Sequence, residues 1–133
     1  MTTREFWAAA AVAFVLVALA LADAAVRGAL GIPSNDDWVY YRSAFLFAET
    51  GRFQPEFASA LLFGQILLSW PVVKVFGPVF WPLQVLGSVF GALGLWWTYL
   101  LVRGFLPRWA ALASVAVLAL GPIYLRAATT FMS

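Results

Sequence analysis

The chain has 133 residues, 64% of them apolar, with no cysteine, no histidine and a formal net charge of +2. That apolar share, with a mean hydropathy of +0.90, lies far above the roughly 45–50% of soluble domains and points to a polytopic membrane protein. The same counts exclude disulfide frames, thiolate chemistry, imidazole bases and histidine-ligated metals, and so small a charge gives no reason to expect nucleic acid as a partner.

The first apolar run is Phe6 to Ala22, continuing less purely through Asp23 and Arg27 to Leu30. About 20 residues cross the hydrocarbon core as a helix, so a first transmembrane helix is expected over about 6–28. Asp23 and Arg27 are four apart on one helical face and are expected to pair near the interface, where charge costs less than at mid-bilayer. Arg4, the apolar run and "ALALADA" also match a signal peptide cut after Ala22, but the run is long for that and more apolar segments follow. Either way, Gly31 onward is expected outside the cytoplasm.

The next stretch, "GIPSNDDWVYYRSAFLFAETGRF", places two carboxylates side by side in a chain where only 11% of residues are charged. Ser34 or Asn35 can cap a helix whose first turn holds Asp36 and Asp37 at the positive end of the helix dipole, and Gly51 is a natural stop. Val39, Ala44, Phe47 and Ala48 give a weak apolar face. The helix is therefore expected on the membrane surface, with Trp38, Tyr40 and Tyr41 at headgroup level. Asp36 shares a face with Tyr40, and Asp37 with Tyr41. Arg42 or Arg52 can pair with an anionic lipid headgroup, while a carboxylate nearby takes a proton from an attacking hydroxyl. The same pair also reads as an ordinary exposed helix start.

The second apolar run, "FASALLFGQILLSWPVVKVF", is broken by Gln65, Ser69, Pro71 and Lys74. The third, Val79 to Val102, and the fourth, Trp109 to Leu125, carry no charge, and the fourth is closed by Gly121-Pro122. Arg103 and Arg108 between them belong in the cytoplasm by the positive-inside rule, which leaves the second run half-buried or re-entrant at the interface. Trp81, Trp96, Trp97, Tyr99, Trp109 and Tyr124 mark the span ends. The expectation is an all-α membrane protein with a cytoplasmic amino terminus. Three transmembrane helices are placed at about 6–28, 79–102 and 107–126, with juxtamembrane helices in an external loop at about 34–76. Gly87, Gly91 and Gly94 permit close helix packing. Lys74 and Arg126 read as snorkelling anchors or phosphate partners. Nothing in the closing "RAATTFMS" looks like a terminus, so the chain is read as the truncated amino-terminal piece of a longer protein whose remaining spans follow.

This order resembles the amino-terminal part of the GT-C superfamily of polytopic glycosyltransferases, closest to the family of protein O-mannosyltransferases and bacterial lipid A aminoarabinose transferases. Members have one span, an external loop opening on an acidic pair, and a membrane-parallel helix reading acid-acid-x-x-Tyr and then Gly. Asp36, Asp37, Tyr40 and Gly51 match. A Pro-containing apolar helix ending in Phe-Gly follows ("LLFGQILLSWPVVKVFG"), then a clean span with an Arg-rich turn ("LLVRGFLPRWAALASVAVLALGPIYLR").

The resemblance implies transfer of a sugar from a polyprenyl-phosphate-linked donor to an acceptor on the outer side of a bacterial inner membrane. Asp36 would be the base, with Asp37 assisting or binding a divalent metal where one is used. Tyr40, Tyr41, Arg42, Arg52, Lys74 and Arg126 would be the substrate contacts. Membrane lipids and the missing carboxy-terminal spans would be partners, and the fragment alone would be inactive. The pair departs from the family's Asp-Glu, and the acid often found at the outer end of the third span is not reached by Ser133. The rival reading is a non-enzymatic scaffold or part of a transporter or flippase. That reading prefers polar or broken helices at the bilayer midplane, which the third and fourth runs do not suggest.

Overall fold

A computed structural model describes residues 2–33, 37–53 and 63–129. Every regular element among them is a helix: α1 (Thr3–Val26), α2 (Asp37–Thr50), α3 (Phe63–Phe76), α4 (Trp81–Arg103), α5 (Arg108–Leu120) and α6 (Pro122–Thr129). α1 begins where the Thr2 side chain accepts the Glu5 backbone N–H at 3.2 Å, an N-cap of the usual chemistry. α1 and α4 have 24 and 23 residues, about 35 Å each at 1.5 Å per residue. Both are long and apolar enough to cross a membrane.

The fourth apolar run does not form one helix. α5 ends at Leu120, and α6 departs at 68°. The single helix expected over 107–126 is therefore a bent pair, and the described residues hold three candidate crossings only if that pair counts as one. The cause is local. Gly121 is extended, at ψ 125°, and Pro122 has no N–H to continue the ladder and disfavours a helical residue before it. Tertiary contact then holds α6 in place. The Tyr124 hydroxyl donates to the Gly91 carbonyl at 2.6 Å. Gly91 also lies so close to Ala128 that a Cβ there would meet the Ala128 Cβ at 2.7 Å. The glycine spacing on α4 thus serves close packing, at Gly91 against α6.

α3 has 14 residues, about 21 Å, against a hydrocarbon core of roughly 30 Å. It continues through Pro71 to Phe76. α2 and α3 end on left-handed glycines: Gly51 (φ +66°) and Gly77 (φ +75°) donate their N–H groups to Phe47 O and Val73 O, each at 2.9 Å. Such positions favour glycine because a Cβ would be strained there.

Two apolar clusters share α4. In the larger, Ala13 and Val17 of α1 meet Ala92, Leu95 and Tyr99 of α4, with α5 and α6 closing the far side. In the smaller, Tyr40 and Ala48 of α2 meet Val73 of α3 together with Phe80 and Leu83 at the start of α4. α2 therefore rests on protein. Trp38 remains half exposed, whereas Tyr40, expected at headgroup level, is taken into this cluster because α3 and the head of α4 supply an apolar surface for its face.

Candidate functional site

The acidic pair lies where α2 begins. Asp36 and its neighbours Ser34 and Asn35 fall outside the described residues. Asp37 is the first residue of α2 and is fully buried, at 0% exposure, and it is not without a partner. Burying a carboxylate without a partner costs several kcal/mol, about 2–7 even for neutral polar groups, so Asp37 is an anchored residue. The loop before it is anchored too: the Gly31 N–H donates to Gln84 Oε1 at 2.6 Å, and Gln84 is itself buried in the first turn of α4. Sequence reading missed Gln84, whose signal was a lone amide in an otherwise apolar run.

Tyr40 is enclosed in the smaller cluster. Tyr41 is half-buried, stacked on Phe45 at 6.4 Å and edge-on to Phe80 at 5.7 Å between centroids, and burial raises its phenol pKa. Arg42, Arg52 and Lys74 are all exposed. Lys74 lines a groove of about 460 Å³ between the end of α2 and α3, with Glu49, Trp70 and Leu67. Arg126, also exposed, lines a different groove, of about 520 Å³, between α1, α5 and α6. The structure thus keeps Asp37, Tyr40 and Tyr41 together in the first turns of α2, puts Lys74 at the opposite end of that helix, and puts Arg126 in a separate groove. Among the described residues no three acidic, His or Cys side chains come together to hold a metal ion.

A second charged cluster lies at the opposite end of α4. Arg103 Nε donates to Glu5 Oε1 at 2.8 Å, and the Tyr99 hydroxyl donates to the same oxygen at 2.7 Å. Around it Phe6, Trp7 and Trp96 pack as an aromatic group. The available signal was an acid in the first turn of one apolar run and an arginine ending another, which become neighbours when the two helices run antiparallel. The expected Asp23–Arg27 pair forms, at 2.7 Å.

No family model, curated protein or solved structure matches this chain.

Proposed function

We propose that this chain forms the amino-terminal part of a polytopic membrane glycosyltransferase that takes a sugar from a polyprenyl-phosphate donor on the outer side of the membrane. One observation carries the reading: Asp37 is fully enclosed at the head of a docked helix. An ordinary exposed helix start would leave both acids in water. Anchoring one acid of a pair on a packed helix supports a role for the pair beyond capping.

In this reading the acceptor hydroxyl oxygen bonds to the anomeric carbon of the sugar. The bond from that carbon to the phosphate oxygen breaks, and the lipid phosphate leaves as an anion. The hydroxyl proton passes to the Asp36 carboxylate. The leaving group is already stable as an anion, so the protein chiefly orients the acceptor, removes its proton and offsets phosphate charge. Arg42, about 8 Å along α2 from Asp37 at 1.5 Å per residue, is the phosphate partner assigned in this reading, with Arg52 and Lys74 at the far end of that helix.

A second reading, part of a transporter or flippase, gains support from the 68° break between α5 and α6, because interrupted helices are what substrate pathways use. The deciding experiment replaces Asp36 with Asn in the full-length gene product and follows transfer from radiolabelled polyprenyl-phosphate sugars in native membranes. A loss of about 100-fold or more at equal expression is expected of a missing general base. Unchanged transfer would return the pair to a structural role and leave the transport reading ahead.

A further inference from the structure

The groove between α1, α5 and α6 has no place in the reaction proposed above. It measures about 520 Å³, within the roughly 300–1,000 Å³ of small-molecule sites. Leu16, Leu19, Leu120 and Leu125 give it an apolar wall, and its polar lining includes Asp23, Arg27 and Arg126. Those three charges are not equivalent. Asp23 and Arg27 satisfy each other at 2.7 Å. Arg126 has no side-chain partner among the described residues, and its charge is left uncompensated. The backbone that carries it is held, because α6 is fastened to α4 by Tyr124 and Ala128. A guanidinium on an anchored helix, beside an apolar trough that opens between membrane-length α1 and the bent α5–α6 pair, is complementary to an amphiphile with one negative charge.

We propose that this groove binds a single anionic phospholipid, its acyl chain along the leucine wall and its phosphodiester on Arg126. A phosphodiester carries one negative charge, matching the one uncompensated positive charge, and arginine presents the forked donors that phosphate oxygens accept. This inference is independent of the glycosyltransferase reading and needs only that the helices lie in a bilayer, so its failure would leave the Asp36 assignment untouched.

The test uses the full-length protein in phosphatidylcholine nanodiscs with and without phosphatidylglycerol, with retained lipid counted by native mass spectrometry. One phosphatidylglycerol should be retained in preference to phosphatidylcholine. Arg126→Ala should lower that occupancy at least about fivefold, the scale of one basic residue against anionic lipid. Ala20→Phe, which narrows the trough, should lower it as well, while the exposed Arg108→Ala should not. Equal retention of both lipids would overturn the proposal, as would an unaffected Arg126→Ala variant. Displacement of the lipid by inorganic phosphate alone would also overturn it. A Leu120→Cys variant, made in full-length protein whose other cysteines, if any, are replaced by serine, carries a unique probe. Its crosslinking to another part of the same protein would show that protein, not lipid, fills the groove.

Discussion

Replacing Gly91 with alanine should weaken the fold, although the same change in an isolated helix would strengthen it by about 1 kcal/mol. The added Cβ would sit 2.7 Å from the Ala128 Cβ and 3.2 Å from its Cα. Optimal carbon–carbon contact is roughly 3.5–4.0 Å, so α6 must retreat by about 0.8 Å or more. Overpacking of this kind costs about 1–3 kcal/mol. The retreat also stretches the hydrogen bond from Tyr124 to the Gly91 carbonyl, now 2.6 Å, a further 1 kcal/mol or so. After the propensity gain, the net loss is about 1–3 kcal/mol. Equilibrium unfolding in mixed micelles, followed by circular dichroism, measures it. Gly64→Ala on α3 is the control, since a Cβ there meets nothing within 4 Å, and it should be neutral or stabilising. Ala128→Gly should restore most of the Gly91→Ala loss in the double variant. If Gly91→Ala behaves like the control, or if Ala128→Gly restores nothing, the account of the α4–α6 contact is wrong.

Asp37→Ala should lower stability by about 1–3 kcal/mol, the cost of leaving a buried polar partner unmatched, and Asp37→Asn by less; thermal unfolding separates them. Glu5→Arg should reduce the folded yield by facing Arg103 with like charge, and Glu5→Arg combined with Arg103→Glu should recover it, read by size-exclusion profile. The mature protein should keep its amino terminus in intact-mass measurement, because cleavage after Ala22 would remove Ala13 and Val17 from the larger cluster.

What sequence made legible was mostly local. α2 runs from Asp37 to its glycine stop at Gly51, and Val39, Ala44 and Ala48 of its expected apolar face are buried. α1 and α4 follow from uninterrupted apolarity. Gly121-Pro122 was visible as a terminator, but not that the chain resumes as a helix at 68°. That angle depends on Gly91, some thirty residues earlier, accepting the Tyr124 hydroxyl. The Glu5–Tyr99–Arg103 cluster was hidden for the same reason. Glu5 and Arg103 stand 98 positions apart and meet only through antiparallel packing of α1 and α4. For the candidate site, types and spacing were readable, but enclosure was not: Tyr40 looked like an interfacial aromatic until α3 and the head of α4 covered it. Lys74 and Arg126 were equal candidates by composition and separate by groove.

The link between Glu5 and Arg103 spans 98 positions, and this sets a timetable for biogenesis. At about 5–20 residues per second of synthesis, the carboxylate at the head of α1 emerges on the order of 5–20 seconds before the arginine that neutralises it. Throughout that interval α1 waits in an unfinished assembly with its small-residue face uncovered, while α2 and α3 are made and can find each other. α4 then arrives last of these four and joins both partnerships, while α5 and α6, made after it, complete the larger cluster.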